Sequence, residues 1–207
     1  MALSQELVDT VIVLDFETTG LSPNMGDRAI EIGAVRIENG RVTDRFQELM
    51  NPGRPISGFI EDYTGITNRM LYSARPCGEV MRRFSDFIGD FNLVAHNASF
   101  DQRFLDAELE MISEERRGQF ACSMLAARRL YQEAPNHKLG SLVDYVNIPA
   151  DGVFHRALYD SEMTGKLWMA MLDRIGDRYE VPEVSFSMMR KLMKTPKRSV
   201  GQLFERP

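Results

Sequence analysis

Cysteine is scarce: Cys77 and Cys122 are the only two in the chain, and they follow no metal-ligand spacing. That pattern offers neither a disulfide framework nor a zinc site, and a reducing cytoplasm is the expected location. Long apolar runs are missing as well, since nowhere do roughly 18 uncharged apolar residues occur together. The opening MALSQELVDT lacks a basic segment followed by an apolar run, so neither export nor a membrane partner is expected. Positive charge is not in excess either. With 27% charged residues and a net charge of -5, the chain is unlike a passive nucleic-acid coat. Any contact with a polyanion must be local, and carboxylates would repel phosphate unless cations intervened, which points weakly to metals as the bridge. Finally, no G-x-G-x-x-G or G-x-x-x-x-G-K-[ST] follows a strand, which argues against a phosphate-cradling nucleotide fold.

What is present suits one catalytic domain: 207 residues, 43% of them hydrophobic. VIVLDFETTG reads as a buried strand whose end opens into a turn at Thr18-Thr19-Gly20. Two alternating apolar segments follow, joined by Asn39-Gly40, a strong hairpin signal, so residues 11 to 50 form three strands. Helical spacing runs from Gly65 to Asp90 through Val80, Phe84, Phe87 and Ile88, and NLVAHN is a fourth strand. Ser99 and Gln102 form a capping-box pattern that places Asp101 in the first turn of a helix. QFACSM supplies a fifth strand, with helices at about 123–131, 139–147 and 157–177. Strands first, then alternating helix and strand, give an α/β fold: a mixed five-stranded sheet flanked by helices. The domain is placed at residues 1–180, and 181–207 reads as a basic C-terminal tail with no obvious core face.

Strand alternation puts Asp15 and Glu17 on one face with Phe16 on the other. Two adjacent carboxylates repel unless one is protonated or a divalent cation sits between them. Solvated residues at a strand end explain the pair about equally well. Asp101 and Asp160, each near a helix start, are explained singly by the helix dipole. His155 precedes Asp160 by five residues, a displacement of about 140° on a continuous helix, so it belongs to the loop before that helix. A loop-borne imidazole can take a proton from water at neutral pH. An exposed or satisfied loop histidine is its plain alternative, and His96 and His137 keep that plain reading.

Together the segments VLDFETTG, AHNASFD and HRALYD, in this order, resemble the three motifs of the DnaQ-like, or DEDDh, 3′→5′ exonucleases. The likeness covers residues from about 10 to 175. Asp15, Glu17, Thr18, Thr19 and Gly20 match the first motif; His96, Asn97, Phe100 and Asp101 the second; His155 and Asp160 the third. Arg156 stands where the tyrosine-dependent branch carries its tyrosine, which selects the histidine branch. Ser161 follows the last Asp where the family often has Ala, and Tyr63-Thr64-Gly65-Ile66-Thr67 stands where relatives often carry His-Gly-Ile.

The resemblance implies an RNase H-like fold and a metal-dependent exonuclease. Asp15, Glu17, Asp101 and Asp160 would hold two divalent ions, Mg²⁺ or Mn²⁺, with His155 as general base. It also implies substrate contacts from Phe16, Thr18, Ile66 and Asn97, while Phe100 reads better as core. The expected partner is single-stranded nucleic acid or a duplex 3′ end, DNA before RNA, with release of nucleoside monophosphates. An exoribonuclease trimming RNA is the alternative, and a non-catalytic nucleic-acid-binding module a weaker one, since no site residue is missing. The basic tail, with Arg190, Lys191, Lys194, Lys197 and Arg198, would track phosphates, dock a protein partner, or stay solvated.

Overall fold

In the computed structural model, residues 7–205 are described except Val153 and Pro182. The first six residues of the N-terminal segment, and the last two of the basic one, thus lie outside the described residues. Strand β1, Val11–Thr18, is β-branched and buried along almost its whole length. β2, Ala29–Glu38, and β3, Arg41–Asn51, pair antiparallel after it, and the turn between them has positive φ at both Asn39 and Gly40, as a tight hairpin requires.

The helical spacing expected from Gly65 to Asp90 resolves into shorter pieces. Helix α1, Gly58–Thr64, stops at Gly65 in the left-handed conformation, and Thr67 caps α2, Asn68–Tyr72. A two-residue strand, β4, Arg75–Pro76, adds a sixth strand, and only then does α3, Cys77–Ile88, begin, burying Val80, Phe84 and Ile88. β5, Asn92–Ala95, runs parallel to β1, and α4, Ser99–Glu110, follows it. Ser99 is the first helical residue rather than the cap, so the expected capping box does not form; Asp101 nevertheless lies in the first turn. β6, Phe120–Cys122, leads into α5, Ser123–Leu130, then α6, Leu139–Tyr145, and the long α7, Ala157–Tyr179. The sheet order is β4-β3-β2-β1-β5-β6, a mixed sheet flanked by helices as expected, with one strand more.

The parity of β1 decides what each layer receives. Val11 and Val13 enter the core beneath α5 and α7, whereas Ile12, Leu14 and Phe16 enter the one beneath α3 and α4. Asp15 and Glu17 continue the first series, so their side chains point toward α7. In β2, Val35 and Ile37 share that same layer while Ile32 and Ala34 face the other.

Beyond Pro182 the structure corrects the expectation of a tail without a core face. Helix α8, Phe186–Lys194, and α9, Val200–Phe204, bury Phe186, Met189, Leu192, Val200 and Phe204 in the α5–α7 core. Phe186 packs near Trp168 and Phe204 stacks on Tyr179. Lys191, Lys194, Lys197 and Arg198 remain exposed, while Arg190 reaches Gln119 on the body of the domain. Phe186→Ala should therefore cost about 3–5 kcal/mol in urea unfolding. A loss within about 0.5 kcal/mol, the ordinary result for a surface change, would restore the solvated-tail reading. Among the described residues no helix is long and apolar enough to cross a membrane.

Candidate active site

Four carboxylates meet at the C-terminal end of β1. Asp15 and Glu17 come from the strand and Asp160 from the first turn of α7; Asp101 arrives from α4 on the opposite layer. Glu17, Asp101 and Asp160 are buried, and Asp15 is partly so. Asp101 Oδ1 accepts the Phe16 N–H at 3.1 Å, which fastens α4 to the middle of the D-x-E pair. Asn97 takes a positive φ just before α4 and its carbonyl accepts the Phe100 N–H, turning the chain so that Asp101 faces inward.

Asp160 is positioned by an unusually close approach of helix to sheet. A Cβ on Gly33, the residue opposite Asp15, would lie 2.0 Å from Leu158 N and 2.1 Å from Ala157 C, so only glycine admits the first turn of α7. Ser161 sets its hydroxyl 2.9 Å from Gly33 O and 2.8 Å from Ala157 O, a second tie at the same point.

Without a cation this cluster disfavours its own ionisation. Burial is the largest cause throughout. It raises Asp15 well above the carboxylate range, with the charges of Asp101, Glu17, Asp160 and Glu31 adding to it. Glu17 is pushed up to about 8 by burial, then by Asp160, Glu31 and Asp101, with Arg156 opposing. Asp101 rises to about 7 through burial against the Phe16 N–H, and Asp160 to about 6 against the His155 N–H. Asp160 Oδ2 accepts that N–H at 3.1 Å, whereas its Oδ1 is buried with no hydrogen-bond partner among the described residues. Glu17, His155 and Asp160 bring ligand atoms within 4.8 Å of one another. An orphaned buried carboxylate oxygen among further hard oxygen donors fits a divalent cation.

His155 lies outside α7, as the five-residue offset requires. It is exposed, takes φ +70°, and its ring packs 4.3 Å from that of Tyr63. Its loop is pinned by Tyr159, whose hydroxyl accepts the Gly152 N–H at 3.0 Å and whose ring meets Phe154 edge-on. The other histidines are structural. His96 contacts Ser123 Oγ and His137 O, both at 2.9 Å, and burial lowers it to about 4, which keeps it neutral. His137 contacts Tyr131 O.

The residues matched to substrate contacts divide. Phe16 is buried against Phe84 and Ile66 lies in a small core with Ile30, Ile56 and Leu71, so neither side chain is available to a nucleotide. Thr18 is buried with its hydroxyl on Gly20 O, while Asn97 is exposed beside the cluster's helix. The sequence reading missed Glu31. Fully buried and paired in register with Glu17, it accepts from Arg156 Nη2 at 2.9 Å, Arg156 Nε and Ala157 N at 3.2 Å, and Gln47 Nε2 at 2.9 Å. Its signal was an acidic residue at a core-facing position of the apolar strand AIEIGAV. The Arg156–Glu31 pair thereby clamps the junction between the His155 loop and the Asp160 helix onto the sheet.

Comparison with known proteins places this geometry. Residues 12–168 match the Exonuclease family model. DNA polymerase III PolC-type of Bacillus cereus is 40% identical over 165 residues, and that of Bacillus subtilis 40% over 166, in each case 79% of this chain. The chain spans only 11% of the length of these relatives. Exonuclease X in complex with 5′ overhanging duplex DNA superposes with a TM-score of 0.66 at 24% identity, covering 94% of this chain and 99% of that one. The nuclease domain of 3′hExo, a DEDDh family member bound to rAMP, gives 0.67 at 21%, covering 80% and 92%. These structures share the fold, an RNase H-like sheet flanked by helices. With the family model spanning most of the chain, the chain belongs to the exonuclease family as a DnaQ-like hydrolytic nuclease.

Proposed function

We propose that this domain removes nucleotides from the 3′ end of a DNA strand, releasing nucleoside monophosphates, in a proofreading or repair setting. The observation that carries the reading is the convergence of Asp15, Glu17, Asp101 and Asp160 from two layers, with one oxygen of Asp160 unpartnered. Exonucleases of this kind use divalent metals. Asp15, Glu17, Asp101 and Asp160 would hold two ions, Mg²⁺ or Mn²⁺, which when bound supply Lewis acidity at the scissile phosphate and acidify a nucleophilic water. His155 accepts the proton of the attacking water from its loop, where Asp160 fixes its backbone. Asn97, exposed beside the cluster, contacts the terminal nucleotide, whereas Thr18 is buried beneath it with its hydroxyl on Gly20 O. DNA is favoured because the curated relatives are DNA polymerases and exonuclease X is bound to duplex DNA. The rAMP-bound neighbour keeps RNA as the second reading.

The test is a 5′-labelled single strand, as DNA and as RNA, incubated with Mg²⁺, Mn²⁺ or EDTA. The expected outcome is a ladder shortening stepwise from the 3′ end, faster on DNA and absent in EDTA. Release of the label at the first time point, or undiminished turnover in EDTA, would overturn the reading.

A further inference from the structure

The chain carries a net charge of -5, yet its positive residues are not spread evenly. Residues 186–204 include five basic side chains and no acidic one, and in residues 123–138 the single acid is Glu133. The fold joins these two stretches, because α5 packs on α8 and both enter the same core. Their junction is firmly seated. Arg129 Nε donates to Thr195 O at 3.1 Å, and Gln132 Nε2 donates to Lys197 O and to Arg129 O, both at 3.1 Å. Leu192 and Val200 are buried on either side of the corner between α8 and α9. Lys194, Lys197 and Arg198 are exposed charges presented from that fixed corner.

The inner end of the patch reaches the carboxylate site. His96, the residue before Asn97, lies 2.9 Å from His137 O, and Lys138 follows, exposed, with its backbone N–H held by Asn136 Oδ1 at 2.9 Å. Arg128 is exposed on α5, near enough to His96 for its charge to add to the burial and the His137 ring that lower this imidazole. Helix dipoles explain part of the set, since Lys194 and Arg128 lie in the last turns of α8 and α5, where a cation is favoured. They do not explain Lys138, at the N-terminal cap of α6, where a cation is disfavoured. Nor do they explain Lys197 and Arg198, adjacent like charges. The carboxylate cluster repels a phosphate backbone, so the hold on a strand leaving the site must come from cations beside it. This row starts next to Asn97 and runs outward, which complements such a strand.

We propose that Arg128 and Lys138, then Lys194, Lys197 and Arg198, form a track for the sugar-phosphate backbone of the substrate strand upstream of its terminal nucleotides, the inner pair engaging nearer the 3′ end than the outer three. The proposal rests on the exonuclease reading above. It assigns the grip on longer strands to the C-terminal segment, beyond residues 12–168 that match the family.

The test measures kcat/KM on single-stranded DNA of lengths from about 3 to about 20 nucleotides. It compares wild type, the double variant Arg128→Ala/Lys138→Ala, the triple variant Lys194→Ala/Lys197→Ala/Arg198→Ala, and Lys166→Ala, whose exposed charge lies beside the β2–β3 hairpin. For wild type, kcat/KM should rise about tenfold or more with length. The triple variant should lose the part of that gain found at the longer lengths, and the double variant the part found at the shorter ones. On the longest strand, the slope of log kcat/KM against log salt should weaken by about 0.7 for each phosphate contact removed, hence by about 2 in the triple variant. Lys166→Ala should follow wild type. Equal melting temperatures verify that the variants are folded. Wild-type length and salt dependence in both multiple variants would overturn the track while leaving the exonuclease reading intact. So would the same result joined to a loss of pelleting with phosphatidylserine vesicles, which would assign the patch to a membrane surface. An equal loss in Lys166→Ala would reduce the effect to net charge and also overturn the track, and identical length profiles for the double and triple variants would overturn their order along the strand. No nucleotide release by wild type from any strand would overturn both this inference and the reading beneath it.

Discussion

Replacing Asp15 by Asn is expected to lower nucleotide release about a thousandfold or more, and at the same time to make the metal-free protein harder to unfold. The two effects share one cause. Asp15 sits among Asp101, Glu17, Asp160 and Glu31 at the buried end of β1, and each charge there raises the cost of the next. A carboxyl whose folded pKa is raised holds its proton more tightly folded than unfolded. The cluster's contribution to stability is therefore full below the unfolded carboxylate value of about 4, and is lost as pH rises through the folded values. For Asp160 and Asp101 those lie at about 6 and 7, and for Glu17 at about 8. Between pH 5 and 8 the metal-free wild type should lose stability, and Asp15→Asn should lose less, gaining on the order of 1–2 kcal/mol at the alkaline end. Mn²⁺ should raise the wild-type melting temperature more at pH 8 than at pH 6, since the cation relieves a repulsion that exists only between ionised groups. Melts in EDTA and Mn²⁺ at the two pH values, beside initial rates on a labelled single strand, measure both halves. Normal turnover by the variant would remove Asp15 from the machinery, and a destabilised metal-free variant would contradict the electrostatic account of the cluster.

Much of this site is legible from strand parity. Alternation in VIVLDFET assigns Asp15 and Glu17 to one face before any helix is placed, and the His155–Asp160 offset excludes a shared helical face, as the structure also finds. What parity cannot supply is the partner across the sheet. Glu31 occupies a core-facing position of β2, but only the register opposite Glu17 and the return of Arg156 from residues far along the chain explain why an acid is tolerated there. Phe16 and Ile66 show the converse: a motif match suggests nucleotide contact, while the packing against Phe84 and around Ile30 takes both side chains into the interior. Local signals also competed. Ser99 looked like a cap, but the left-handed Asn97 starts α4 through its backbone instead. In the C-terminal segment the density of lysine and arginine masked a helical spacing of Phe186, Met189 and Leu192 that buries one face and leaves the charges on the other. Composition describes the outer face of such a helix, and only the period reveals the inner one.

Gly33→Ala should do more damage than any other single methyl group added to the sheet. The three atoms nearest the new Cβ, at 2.0, 2.1 and 2.5 Å, all belong to the backbone of Ala157 and Leu158, so no side chain can rotate away to make room. The first turn of α7 must lift from β2, and with it go the Ser161 contact to Gly33 O, the Ala157 N–H to Glu31, and the placement of Asp160. Overpacking against backbone should cost about 3 kcal/mol or more in urea unfolding. Displacing one carboxylate of the cluster by about 1 Å should lower the exonuclease rate at least about a hundredfold even at temperatures where the variant is fully folded. Gly201→Ala is the matched control: it lies within α9 with nothing within 4 Å of the added methyl, and should be neutral or slightly stabilising. Ser161→Ala separates the two parts of the contact. It removes the hydroxyl but adds no bulk, so it should keep the helix seated and cost only about 1 kcal/mol, with most of the activity retained. If Gly33→Ala instead matched Ser161→Ala in both stability and rate, the close approach at Gly33 would not be what positions Asp160.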